Sequence, residues 1–365
     1  MQLLVFAHTP PPVHGQSLAV QALLDGLPRV APGIELFHVN PRLSRDAADI
    51  GRWRPGKLLR LLGACARALA LRVRHGPMWF YYVPAPAKRG ALYRDWIVLL
   101  LCRPFFRGLV LHWHAVGLGA WLDTRATAPE RAISRALLGR AQLALVLADA
   151  VRADAEKLAP RACVAVAPGI ADDAADFVRA PAPGPRPLEV LFLSLGSREK
   201  GLFDALEGVA LAQRQGLPCR LTVAGAFADA YTARSLRARA AGRGPDRVRH
   251  LGFVSIEERR RLFAASDVLC FPTCYPHEGL PAVLLEALAF DLPIVTTRWR
   301  AIPAMLPREH VRFVAPQNPA DIAAALAAGG RGGRGAGALR AVYLARFTRE
   351  RHLAALAGAL RSLPA

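Results

Sequence analysis

Cys270-Phe271-Pro272-Thr273-Cys274-Tyr275-Pro276-His277-Glu278-Gly279-Leu280-Pro281-Ala282-Val283-Leu284-Leu285-Glu286-Ala287-Leu288 is the most informative stretch of this 365-residue chain. It closes an apolar run at 268–271, passes through a loop of Pro and Gly, and enters a helix near Pro281. Strand, loop and helix in that order make one repeating unit of a parallel α/β sheet. A helix start after a Gly turn offers unpaired N–H groups and the positive end of the dipole, a seat for phosphate. Glu286, one to two turns into the helix, is placed to accept hydrogen bonds from hydroxyls such as those of a ribose.

The same unit recurs in both directions along the chain. Apolar runs at 3–7, 34–39, 78–83, 109–113 and 143–148, then at 188–193, 220–224, 249–253, 268–271, 293–296 and 311–314, are each spaced for a crossover helix. The pattern predicts parallel sheets covered on both faces. It is broken once, by Ala180-Pro181-Ala182-Pro183-Gly184-Pro185-Arg186-Pro187. The reading is therefore α/β: two tandem Rossmann-like domains, 1–178 and 188–345, with a linker at 179–187 and a cleft facing the carboxyl ends of both sheets. A last helix, from about Thr348 to Leu363 with Thr348 as its N-cap, closes the chain in segment 346–365 and is drawn packing back on the first domain. Gly330, Gly332 and Gly335 formally spell G-x-G-x-x-G, but they follow an Ala-rich helix rather than a strand, so 329–337 reads as a loose connection. A hydrophobic content of 53% excludes a disordered chain, and six cysteines are too few for a stapled secreted domain.

The segment P-T-x-x-x-x-E-G-x-P-x-x-x-x-E-A-L-A over 272–289, followed by Pro293-Ile294-Val295-Thr296-Thr297, resembles the donor-binding signature of retaining family-four glycosyltransferases, which have the GT-B fold and use nucleotide-diphosphate sugars. The resemblance implies that Glu286 binds the nucleotide ribose, that Glu278 contacts the donor sugar, and that the amides of Gly279, Leu280, Pro281, Ala282 and Val283 surround the diphosphate. Ser194-Leu195-Gly196-Ser197-Arg198-Glu199-Lys200-Gly201 is similar to the family's loop carrying an Arg and a Lys-Gly pair. Lys200 and Arg198 then neutralise the leaving diphosphate, beside Gly196, because fixed cations stabilise developing charge without reorganisation. Lys200 is also the last lysine of a chain in which 44 of 48 basic residues are arginine.

In the first half, His8-Thr9-Pro10-Pro11-Pro12-Val13-His14-Gly15-Gln16-Ser17 resembles the family's first glycine loop, with Gly15 the donor-side glycine and Gln16 where a second glycine is usual. His112-Trp113-His114-Ala115 ends a strand and is similar to the family's strand-end histidine. His114 is the candidate for hydrogen bonding the donor sugar, and His112, two residues earlier on the same face, is the competing one. The family departs at Ile302-Pro303-Ala304, where a Glu commonly follows the Pro. Cys270, Cys274 and His277 are too few and too awkwardly placed for zinc. No D-x-D motif follows a strand of the first half, and Asp172-Asp173 with Asp176 lie in a boundary loop, so no catalytic metal and no cofactor are expected.

Charge adds a second theme. The formal balance is +20, and segment 42–107 alone carries 14 basic and 3 acidic side chains. Within it 56–75 reads as a helix, with Leu58, Leu62, Leu69 and Val73 on one side and Arg60, Arg67 and Arg74 on the other. Two readings stay open: a helix packed on its own sheet with arginines in water, or a basic surface meeting anionic lipid or a diphosphate-linked lipid substrate.

Together these features predict a retaining, metal-independent glycosyltransferase moving a sugar from a nucleotide-diphosphate donor to a glycan or polyprenyl-diphosphate-linked acceptor in cell-surface polysaccharide biosynthesis. The alternatives are a nucleotide-sugar epimerase and a catalytically silent basic membrane- or polyanion-binding protein. No nucleic-acid partner is expected, since aromatic platforms for bases are missing from the basic segment. Met1-Gln2-Leu3-Leu4-Val5-Phe6 reads as a first strand rather than a signal peptide, and no apolar run approaches the ~20 residues that span a bilayer. The expected location is cytoplasmic, or peripheral on the inner face of the cytoplasmic membrane.

Overall fold

A computed structural model describes residues 1–364 apart from 12, 14, 44–48, 50–53, 180–185, 242–246 and 330–336. The glycines Gly330, Gly332 and Gly335 and most of the Pro-rich break fall outside the described residues. The chain divides into two units, Met1–Gly169 with Arg349–Ala365, and Ile170–Thr348.

The first unit holds β1 (Gln2–Phe6), β2 (Glu35–Val39), β3 (Trp79–Tyr82), β4 (Leu109–His112), β5 (Leu143–Val146) and β6 (Cys163–Ala165), all parallel in the order β2-β1-β3-β4-β5-β6. Successive side chains of a strand point to opposite faces. Leu4, Phe6, Phe80, Tyr82 and Leu111 therefore enter one core, and Leu3, Val5, Trp79, Tyr81 and Val110 another. Because helices cover both faces, the strands are apolar at nearly every position. β6 is absent from the sequence reading: it is three residues long and half-buried at the sheet edge, and leaves no apolar run.

The second unit holds β7 (Leu188–Leu193), β8 (Cys219–Ala224), β9 (Val248–Gly252), β10 (Val268–Phe271), β11 (Ile294–Thr297) and β12 (Val311–Val314). They are parallel in the order β12-β11-β10-β7-β8-β9, the doubly wound Rossmann arrangement.

Two expectations need correction. The unit boundary lies between Gly169 and Ile170 rather than near 178, so the described flanks of the Pro-rich stretch belong to the second unit. They are pinned there. Arg179 donates to the carbonyls of Phe290, Ser266 and Phe263, and Arg186 forms a two-pronged pair with the buried Asp267. Proline content marked the segment as irregular, not as a border. The chain passes between units a second time after Thr348, and the Arg349–Arg361 helix buries Leu353, Leu356 and Leu360 in the core of the first unit.

The second correction concerns the Pro55–His75 helix. It turns Leu61, Ala64, Cys65 and Ala68 to the sheet; of the face read from the sequence only Leu69 packs against that core, half-buried, while Leu58, Leu62 and Val73 are exposed. Apolar residues cover more than half the circumference, so periodicity alone does not choose a buried face. The small side chains Ala64, Cys65 and Ala68 let the helix approach the Leu4, Phe6 and Phe80 surface closely.

Candidate functional site

In a doubly wound sheet, ligands bind beyond the carboxyl ends of the strands where the strand order reverses. In the second unit that point lies between β7 and β10. The loops leaving those two strands are the two stretches singled out in the sequence. They are laced together: the amide of Cys274 donates to the carbonyl of Glu199 at 2.8 Å. Gly201, at φ +81°, ends the first loop in the left-handed region, and a Cβ there would sit 2.2 Å from the carbonyl oxygen of Pro272. Only glycine allows both that backbone and that approach. Gly196 is similarly enclosed, with a Cβ position 2.8 Å from the ring of Phe227.

At this crossing Lys200 and Glu278 meet. The Lys200 ammonium donates to Glu278 Oε1 at 2.9 Å and Oε2 at 2.7 Å, and the Thr273 hydroxyl donates to Oε2 at 2.8 Å. The ammonium also lies 4.6 Å from the centre of the Tyr275 ring, a cation–π contact. Tyr275 is itself held, its carbonyl accepting from Trp299 Nε1 at 2.7 Å. Glu278 is 6% exposed, so the pair is fixed in a largely dry setting, where geometry is well defined and loss of one partner is costly.

The Ala282–Ala289 helix starts immediately beyond. Pro281 is its N-cap and provides no capping side chain, which leaves first-turn N–H groups of the helix available to an anion. Gly279 and Val283 are buried, and Leu280, Pro281 and Ala282 half-buried around that start. Glu286 is on the same helix and accepts from Arg259 Nη2 at 2.6 Å. Burial raises its carboxyl above the ordinary carboxylate range, with Arg259 opposing and Asp173 reinforcing the rise.

Not every expected residue converges. Arg198 is exposed, and its guanidinium lies over the ring of Phe203 at 5.5 Å rather than beside Lys200. Ala304 is exposed on the short Ile302–Met305 helix. Sequence reasoning missed Arg259, Thr273 and Tyr275. Arg259 belongs to an Arg-Arg-Arg run in an arginine-saturated chain, and nothing in such a run marks its first member.

In the first unit, Gly15 opens the Gly15–Val30 helix with no atom within 4 Å of a Cβ placed there. His114 is half-buried just past β4, while His112 is 1% exposed beneath it. The two rings are 4.3 Å apart, and His352 of the C-terminal helix stacks on His112 at 6.1 Å. Tyr81 hydroxyl hydrogen bonds with His112 Nδ1, and His352 Nδ1 donates to the carbonyl of Ala167 at 2.8 Å. Of the two histidines on this strand face, the partly accessible one is His114. His112 is an interior residue.

This cluster carries a pH signature. Burial, then repulsion from His114 and His352, holds the His112 imidazole well below its ordinary 6.5, and burial lowers His352 too. Unfolding frees both, so below about pH 6.5 the unfolded chain binds protons that the folded unit refuses. Stability is therefore complete above that pH and falls as the pH drops, by up to about 1.4 kcal/mol per pH unit for each histidine. Scanning calorimetry from about pH 7 to pH 5 should show the transition of the first unit moving down, and His352→Gln should flatten that slope.

Comparison with known proteins places these geometries in context. The family model described as "Glycosyl transferases group 1" matches residues 187–328. An amylovoran biosynthesis glycosyltransferase of Erwinia amylovora is 30% identical over 145 residues, 39% of this chain and 35% of that protein. A putative colanic acid biosynthesis glycosyltransferase of Escherichia coli (strain K12) is 28% identical over 147 residues, with 39% and 35% covered. The matched stretch thus spans about a third of the length of these curated relatives. Among solved structures, sucrose-phosphate synthase from Thermosynechococcus elongatus superposes with a TM-score of 0.74 at 17% identity, covering 99% of this chain and 98% of that one. Anabaena HepE in complex with UDP gives 0.70 at 16%, with both chains fully covered. At such identities the likeness speaks for the fold, and that fold is the two-domain GT-B architecture.

Proposed function

We propose that this chain, whose residues 187–328 form a glycosyl transferases group 1 domain, transfers a sugar from a nucleotide-diphosphate donor with retention of configuration and without a metal ion. The observation that carries the proposal is the meeting of Lys200 and Glu278 at the switch point of the second sheet, at the mouth of the helix bearing Glu286. In this reading Glu286 takes the ribose hydroxyls, and Lys200 and the amides of the helix start take the diphosphate. Glu278 positions the sugar, and the family resemblance assigns His114 a contact to it as well.

The chemistry asks little of the side chains as nucleophiles. The bond between the anomeric carbon and the diphosphate oxygen breaks, and the acceptor hydroxyl bonds to the same face of that carbon. The leaving oxygen takes the hydroxyl proton. Negative charge accumulates on the diphosphate, and Lys200 and the helix dipole stabilise it from fixed positions. Arg198 reaches the diphosphate in this reading only after leaving Phe203.

The acceptor assigned here is a glycan or a polyprenyl-diphosphate-linked saccharide. The relatives named for amylovoran and colanic acid biosynthesis support a role in cell-surface polysaccharide assembly, and the neighbour solved with UDP supports a nucleotide donor. Among the described residues no helix is long and apolar enough to cross a membrane. The location proposed is cytoplasmic, or peripheral on the inner face of the cytoplasmic membrane.

A panel of uridine, guanosine and adenosine diphosphate sugars tests the proposal. One donor should release its nucleoside diphosphate only when a lipid-linked saccharide is supplied. Conversion of a donor to its epimer without acceptor would favour an epimerase instead, and inertness toward every donor would overturn both.

A further inference from the structure

The Pro55–His75 helix exposes what a water-soluble helix normally buries. Leu59 and Val73 are 72% and 84% exposed, and Leu58 and Leu62 about as open as many surface charges at 43% and 40%. At 3.6 residues per turn, Leu58, Leu62 and Val73 fall within about 60° of one another on the flank beside the buried face, which they share with the half-buried Leu69, and Leu59 points outward about 40° beyond. Arg74, Arg67 and Arg60 follow within the next ~100°, themselves confined to about 40°, and all three are exposed. The outward surface thus has an apolar stripe with an arginine stripe alongside.

Two arginine contacts tie the helix to neighbouring segments. Near the C-terminal end of the helix Arg72 donates from Nε to the carbonyl of the exposed Phe105 at 2.7 Å. Arg67 reaches the carbonyl of Asn40 at 3.4 Å. Among the described residues, segment 42–107 presents no exposed carboxylate. Of the three acids in segment 42–107, Asp49 and Asp95 are 5% and 0% exposed and paired with Arg54, Lys57 and Arg94. The third, Asp46, lies outside the described residues.

We infer that this helix face docks on an anionic lipid bilayer, the leucines and Val73 entering the acyl boundary while Arg60, Arg67 and Arg74 pair with lipid phosphates. Charge complementarity selects that occupant. An interfacial helix combines an apolar face with a basic one and lies in the membrane plane, and arginine stems bridge the depth between the two layers. A second copy docking through this same face would have to answer the arginine row with carboxylates, and the described surface of segment 42–107 has none to offer. The inference deepens the proposed use of a lipid-linked acceptor by naming the surface on which it is met. It rests on the first unit alone, so it is measured without any donor.

Cosedimentation with vesicles of phosphatidylcholine, with and without phosphatidylglycerol, tests it. The full chain should bind the anionic vesicles, less so as salt rises. Arg60→Glu/Arg67→Glu/Arg74→Glu should weaken partitioning by on the order of a hundredfold or more, and Leu59→Ser/Leu62→Ser/Val73→Ser by at least about tenfold. Both variants change exposed side chains, and unchanged melting temperatures would confirm that they fold. Nucleoside diphosphate affinity, a property of the second unit, reports separately whether the proposed activity itself fails. Absent binding to anionic vesicles, or binding equal among the three proteins, would overturn the inference. So would light scattering that shows a wild-type dimer dispersed by the Ser substitutions with no vesicle binding, which would give the face to a second copy.

Discussion

Lys200→Ala should reduce the rate of sugar transfer by about 10²–10³-fold, the usual consequence of removing one fixed group that stabilises charge developing on a leaving oxygen. The structure adds a second injury. Lys200 neutralises Glu278 through both carboxylate oxygens, so its removal leaves a nearly buried anion beside the place proposed for the diphosphate. Donor affinity should therefore fall along with turnover. The double variant Lys200→Ala/Glu278→Gln separates the two effects: it removes the stranded charge and should regain part of the donor affinity, while turnover stays low. Steady-state kinetics of the wild type and both variants checks this. Equal loss of affinity in the single and double variants would mean that Glu278 has no electrostatic part in it.

Glu286→Gln should weaken donor binding by about 10–10²-fold, the scale of a hydrogen bond to a charged acceptor. Glu286 faces two demands. One oxygen accepts from Arg259 at 2.6 Å, which leaves the other for ribose hydroxyls. The amide of Gln keeps one acceptor and loses the charge, so Arg259 and ribose compete for a single oxygen. Because burial raises the Glu286 carboxyl, its ionised form is lost as the pH falls, starting above the range of an ordinary surface carboxylate. Wild-type donor affinity should decline with it, and that decline should disappear in Glu286→Gln. Comparing a nucleoside diphosphate with its 2′,3′-dideoxy analogue gives the specific readout: the wild type should discriminate between them and the variant should not.

The sheets were legible because central strands buried on both faces must be apolar along their length, while edge strands such as β9 and β12, which expose Arg249, His250 and Arg312, were placed by their spacing in the alternation. β6 escaped because three half-buried residues at an edge need no such run. The convergence of the proposed donor site was readable for a related reason. Its parts lie in two short loops at the ends of adjacent strands, so sequence-local stretches hold Lys200, Glu278 and Glu286 together with the glycines that let them approach. Residues contributed from elsewhere were not readable. Arg259 and His352 reach their partners by tertiary packing, across 27 residues in the one case and from the last helix in the other. The facing of the Pro55–His75 helix was misjudged because apolar residues cover more than half its circumference, and the face that packs on the sheet is the one that combines Leu61 with the small Ala64, Cys65 and Ala68.

Calorimetric titration of the full chain with a nucleoside diphosphate, with Lys200→Ala and Glu286→Gln measured alongside, bears most directly on the central claim. The wild type should bind, and each variant should bind at least about tenfold more weakly, since each removes a charge-assisted contact to a different part of the ligand. Equal affinity in all three proteins, or no affinity in the wild type for any nucleoside diphosphate, would contradict the assignment of the β7–β10 switch point as the donor site.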